Sequence, residues 1–183
     1  MKQKHAVSLG LLILLIISCG KSGKADKQSD PYARYDTYET AEYSIRYPHT
    51  WRLDTSGYMG TDFSIFSKQT SLLDKFIENV NLLISDVPDS LMDITTYKQL
   101  TEEKIKSIAT DSVLLESELI SANGTTYHKL VYTQQQRIYF LKFQQYYWLK
   151  NGKVYELTLA CKENEFNTYI ERGELMLNSF ILK

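Results

Sequence analysis

The chain has 183 residues, which fits one domain plus a targeting segment. With 43% hydrophobic and 23% charged residues, wholesale disorder is excluded and a buried core is supplied. A formal net charge of −1 gives no electrostatic case for a nucleic-acid partner. The 14 tyrosines and only 3 prolines suit β-structure.

The N-terminus has the parts of an export signal. Lys2 and Lys4 precede an apolar run over 9–17, followed by Ser18, Cys19 and Gly20. A membrane-spanning helix takes about 20 apolar residues, so this run has the length of a signal core instead. The stretch "IISC" resembles the lipobox of bacterial lipoproteins. That resemblance implies cleavage between Ser18 and Cys19, lipid on the Cys19 thiol and acylation of the new amino end. Two or more chains anchor stably, at about 0.8 kcal/mol per buried CH₂. The expected partner at this end is therefore a membrane, reached through an N-terminal lipid anchor. Gly20 stands where some bacteria use aspartate for inner-membrane retention, which favours the outer membrane.

Residues 20–38, "GKSGKADKQSDPYARYDTY", are polar and lack an apolar period. They read as a flexible tether of about 18 residues, reaching on the order of 23 Å. Tyr32, Tyr35 and Tyr38 within it read as interfacial or docking aromatics, or as one face of a short turn. The expected division is a signal peptide over 1–18, a lipidated cysteine and tether over 19–38, and a domain over 39–183.

The domain opens with "YSIRYPHTW". Tyr43, Ile45 and Tyr47 alternate as a first strand, Pro48 stops it, and Trp51 drops onto the end of the core. Phe63 and Ile65 mark a second strand and Val80, Leu82 and Ile84 a third, which Pro88 ends. A helix follows, with Ile94, Tyr97, Leu100, Ile105 and Ile108 inside an arc of about 140°. Its start is either a capping box from Thr96 to Gln99 or Asp93. Four strands then run antiparallel, with Asn123-Gly124 and Asn151-Gly152 as type I′ hairpin signals. The strand predicted over 137–150 carries apolar residues on both parities, as for a central strand covered on both faces. A last helix places Phe166, Tyr169, Ile170, Gly173, Met176, Leu177 and Phe180 within about 120°, with Asn164 as N-cap. Gly173 there predicts close packing of helix on sheet. The expected class is α+β: an antiparallel sheet of about six to seven strands flanked by helices, layered α/β/α.

No catalytic residue, metal ligand or cofactor-binding residue is assigned. His49 and His128 lack ligand spacing, and no nucleophile elbow, zinc-protease or phosphate-loop motif occurs. His128 reads as a satisfied or solvent-facing sheet residue and His49 as exposed in a turn. Cys161 alternates with Tyr155, Leu157 and Leu159 and reads as a small core residue. The aromatics from Tyr132 to Tyr155 read as core and cross-strand pairs, or as a platform for a partner.

Three segments resemble PsbP-like domains. "YSIRYPHTW" is similar to their Y-x-I-x-Y-P-x-x-W opening, and Phe76, Glu78, Asn79, Val80 and Asn81 to their F-x-E-N-V-N segment. The stretch from "NGKVYELTLACK" to the final Ser-Phe resembles their closing strand and helix. That family includes a photosystem II oxygen-evolving subunit, a Ran-GTPase-binding import factor, bacterial envelope lipoproteins and chaperones for secreted toxins. The resemblance implies the fold and a binding or assembly role rather than catalysis. The expected function is a membrane-anchored envelope lipoprotein with a non-catalytic protein-binding domain. The alternatives are a small-molecule or lipid-binding envelope protein, using a tyrosine-lined cavity between helix and sheet, and a secretion-associated chaperone.

Overall fold

A computed structural model describes residues 30–87, 92–108, 112–122 and 124–183. Ser18, Cys19, most of the expected tether, Pro88 and Asn123 lie outside the described residues.

Among the described residues, ten strands form two sheets, antiparallel throughout. The small sheet has the order β1-β2-β10, with β1 Tyr35–Glu39, β2 Tyr43–Pro48 and β10 Ile181–Leu182. The large sheet has the order β3-β4-β5-β9-β8-β7-β6. Its strands are β3 Arg52–Asp54, β4 Phe63–Phe66, β5 Asn79–Asp86, β6 Ser112–Ala122, β7 Thr125–Gln136, β8 Tyr139–Lys150 and β9 Lys153–Lys162. Helix α1 spans Ile94–Ile108 and α2 spans Phe166–Ser179. The α+β class and the seven-stranded sheet are as the sequence predicts.

Membership of that sheet differs from the prediction. The "YSIRYP" strand leaves it and pairs instead with β1 and β10. Its place is taken by β3, three residues long and too short to show an alternation. The strand β1 also corrects the tether boundary at Tyr38. Tyr35 and Tyr38 pack against the core, Tyr38 edge-on to Phe63 with ring centroids 5.8 Å apart.

Burial is nearly continuous along β8 and β9, so both faces of the large sheet are covered. One face carries Tyr146, Trp148, Tyr155, Leu157, Leu159 and Cys161 beneath α2 and the small sheet. The other carries Leu130, Tyr132, Leu141, Phe143, Tyr147 and Val154, with Tyr97 and Ile105 of α1 packed on it. Leu100 corrects the predicted apolar arc of α1: it is exposed, and Thr101 takes the buried position beside Tyr97 and Ile105.

Caps and turns follow local chemistry. Asp93 Oδ1 accepts from the Thr96 N–H at 2.7 Å, so Asp93 caps α1. Asn164 does not cap α2; it lies inside a 3-10 turn, Glu163–Glu165, that leads into the helix. Asn151 and Gly152 both take positive φ between paired Lys150 and Lys153, as type I′ geometry requires. Ala122 pairs with Thr125 around Gly124, also at positive φ. The third hairpin turns at Arg137 and Ile138, which were predicted as strand; Arg137 adopts a φ of 58° without a glycine.

Trp51 meets Tyr169 of α2 edge-on at 6.0 Å, closing the end of the core as expected. Gly173 explains how near α2 lies to the sheet. A Cβ there would sit 3.0 Å from Leu159 Cδ1 and closer still to Cδ2. Alanine adds about 1 kcal/mol of helix propensity, but overpacking a full core costs about 1–3 kcal/mol. Gly173→Ala is expected to lower stability by about 1 kcal/mol in denaturant unfolding. A double-mutant cycle with Leu159→Ala should show a favourable coupling of about 1 kcal/mol, because the new methyl enters the vacated space.

Candidate functional site

Beneath α1 the sheet face is not uniformly apolar. Glu156 and Thr158 share one parity of β9, opposite to Tyr155, Leu157 and Leu159. By alternation alone they read as solvent-facing. In the fold they lie under α1, across from Tyr147 and Gln145 of β8. This patch forms the floor of a cleft of about 340 Å³. Its walls include Tyr97, Thr101 and Lys104 of α1, Tyr132 and Gln134 of β7, and Ser112 of β6.

The floor is one connected hydrogen-bond chain. Tyr147 OH donates to Gln145 Oε1 at 2.5 Å. Gln145 Nε2 donates to Glu156 Oε1 at 2.7 Å and lies 3.0 Å from Thr158 Oγ1. Burial pushes the Glu156 carboxyl above the usual range, against the opposing pull of Lys104, Thr158 and Gln145. Burial also raises the phenols: Tyr97 to about 12, and Tyr132 and Tyr147 strongly upward. The phenols therefore stay neutral donors at physiological pH. Such a cleft offers one buried carboxyl, an amide and several phenol edges to a polar ligand.

His128 sits beside it, fully buried and stacked on Tyr147 at 5.6 Å. Its Nε2 lies 2.9 Å from Ser117 Oγ and its Nδ1 3.4 Å from Thr101 Oγ1. This has the spacing of a serine–histidine pair but not its function. A general-base histidine is oriented by a carboxylate and reaches substrate, whereas Nδ1 here faces a hydroxyl. Burial, with nearby Lys98, pulls the imidazole down to about 4, so it is neutral and structural. Cys161 is a buried core residue; burial raises its thiol far above reactive range. His49 is exposed. The tyrosine group divides: Tyr132 and Tyr147 reach the cleft, while Tyr146 and Tyr155 belong to the core on the other face.

The other feature beside the cleft is the outer strand, β6. It pairs with β7 on one side, and among the described residues no strand pairs with its other edge. Val113 is 54% and Leu115 51% exposed on this strand, Leu115 at a bulge between Leu114 and Glu116. In the sequence β6 looks like an ordinary hairpin strand, because edge position is a property of the assembled sheet.

An α/β/α sandwich on an antiparallel sheet, its one histidine–serine contact structural, defines the class of domain. The chain belongs to the PsbP family, whose family model matches residues 33–182. No curated protein matches it by sequence. Cyanobacterial PsbP (CyanoP) from Synechocystis sp. PCC 6803 is similar in structure, with a TM-score of 0.59 and 20% identity over 92% of this chain and 99% of that one. LpqN of Mycobacterium tuberculosis, described as involved in cell envelope biogenesis, gives a TM-score of 0.60 and 12% identity over 85% and 87%. A Pseudomonas aeruginosa protein of unknown function gives 0.57 and 13% over 82% and 98%. At these identities the likeness is one of fold.

Because His128 is depressed in the folded state, the unfolded chain binds more protons between about pH 6.5 and 4. Its contribution to stability is present above 6.5 and lost as pH falls toward 4. Glu156 and Glu78, both raised by burial, slope the other way. Denaturant midpoints measured across this window should therefore fall less steeply with acid in His128→Gln. The difference between the two chains should change by on the order of 2 kcal/mol from pH 7 to pH 4.

Proposed function

We propose that this chain is a lipid-anchored protein of the cell envelope whose PsbP domain binds and helps assemble a protein partner, without catalysing a reaction. The anchor reading rests on the lipobox at Cys19. Placement in the envelope draws support from the fold shared with LpqN, and Gly20 favours the outer membrane. Among the described residues, no helix is long and apolar enough to cross a membrane.

The observation that carries the partner reading is the free edge of β6. About half of its eleven residues point their backbone donors and acceptors to the unpaired side, with Val113 and Leu115 exposed on the strand. Proteins usually blunt such an edge. Left open, it can take an added strand from a partner, with main-chain bonds giving affinity and the apolar side chains giving register.

A second reading is favoured by the cleft under α1. Its volume and its buried carboxyl suit a small polar ligand with donor groups. Native mass spectrometry of the purified protein should then show a bound species that Glu156→Gln releases.

For the partner reading, a photo-cross-linking residue at Leu115 should give one discrete adduct in intact cells, lost when Val113 becomes lysine. A ladder of background adducts unchanged by Val113→Lys would sink it. For the anchor, Cys19→Ser should block the cut after Ser18 and abolish labelling by an alkyne fatty acid. Labelling that persists would remove the anchor from the reading.

A further inference from the structure

Four large apolar side chains stand in solvent on two adjoining loops. Leu72 is 87% and Leu73 88% exposed on the 67–78 loop, and Ile138 is 81% and Phe140 59% exposed at the turn between β7 and β8. The loops are held together at their roots. Phe76 packs on Tyr139 with centroids 5.6 Å apart, and Asp74 Oδ1 accepts from Lys162 Nζ at 2.9 Å. Ile138, Phe140 and Lys162 line one shallow depression. The apolar tips thus form one surface patch at the end of the sheet where β9 finishes.

Its surroundings carry both signs of charge. Lys68, Lys75 and Arg137 are exposed, and among the described residues none of them is in an ion pair, while exposed Glu163 lines the same depression as Ile138 and Phe140, and Asp74, Glu78 and Glu165 surround Lys162. The chain also enters the domain beside this patch. Asp30 and Arg34 line a cavity of about 690 Å³ whose other walls include Ser67 and Lys68, the first residues of the leucine-bearing loop. Cys19 lies eleven residues before Asp30, which spans at most about 38 Å.

We propose that the 67–78 loop and the 137–138 turn are the membrane-facing surface of the domain, with Leu72, Leu73, Ile138 and Phe140 entering the headgroup region of an anionic bilayer. The proposal rests on the lipid anchor described above. Exposed aliphatics on a rigid root are costly in water and favoured at the acyl boundary. Nearby lysine and arginine side chains are drawn to anionic headgroups. A short tether attached beside the patch keeps that face toward the bilayer. The β6 edge, running along the side of the sheet, then stays open to a partner.

Tryptophan reporters test this in the lipidated protein, purified from membranes and placed in phosphatidylethanolamine–phosphatidylglycerol vesicles with brominated acyl chains. Leu73→Trp and Ile138→Trp report on the patch, and Ser121→Trp, near the far end of β6, is the control. The native Trp51 and Trp148 are buried and contribute a constant background. Quenching by bromine should be several-fold stronger at 73 and 138 than at 121. Equal quenching at the three positions overturns the proposal. So does a blue shift at 73 and 138 without quenching, which would place the patch against protein. The mass of the N-terminal peptide reports the anchor separately. If that peptide carries no lipid, the same variants coupled through Cys19 to a maleimide lipid give the same comparison, so failure of the anchor and failure of the patch are told apart.

Discussion

A single ammonium holds together the end of the sheet where the loop before β5 meets the end of β9 and the turn into α2. Lys162 Nζ lies 2.9 Å from Asp74 Oδ1, 2.6 Å from Glu165 Oε1 and 3.9 Å from Glu78 Oε1. Two of those carboxyls, Asp74 and Glu78, come from the 67–78 loop, and Glu165 from the turn that leads into α2. Burial works against the charge on Lys162, yet the carboxylates outweigh it and hold the ammonium above the ordinary lysine range. Three acids around one base would leave an excess of negative charge. Glu78 resolves this. Almost wholly buried, with neither carboxyl oxygen hydrogen-bonded, it is pushed by burial toward its neutral form. Removing the lysine would leave carboxylates together in a poorly solvated place, which is more damaging than losing an exposed ion pair.

The sheet's two covers leave different chemistry on its two faces. The face under α2 is apolar and tightly closed, with a glycine at the point of nearest approach. The face under α1 combines an apolar cluster with a buried carboxyl, amide and threonine in mutual contact. Polar groups in a core are tolerated when they satisfy one another. Here they do so while one side of the carboxyl still faces a cleft.

Much of this architecture is legible in the residues because it is local. Asn151-Gly152 specifies its own turn, and the apolar spacing of α2 specifies its buried side. Asp93 is a cap for reasons confined to three residues. Other features depend on partners far along the chain. Nothing in "YSIRYP" says that it will pair with Ile181 and Leu182 instead of joining the large sheet. Glu156 and Thr158 obey the alternation of an exposed face, and only the placement of α1 buries Thr158 and half-buries Glu156. Arg137 turns a hairpin with no turn residue, because its neighbouring strands fix the geometry. The three family-like segments were informative because each lies at one of these long-range junctions: Trp51 against α2, Glu78 beside Lys162, and Phe180 against Tyr43.

The pairing of β10 with β2 has a temporal side. Synthesis delivers the N-terminus first, but one edge of β2 waits for residues 181 and 182, far along the chain. The strands β6 to β9 form a run of short-range hairpins that can assemble as soon as they appear. The first segments of the domain cannot complete their sheet until residues 181 and 182 have been made. For that interval "YSIRYP" keeps an open apolar edge, and completion of the fold is a closing step in which the two ends of the domain find each other.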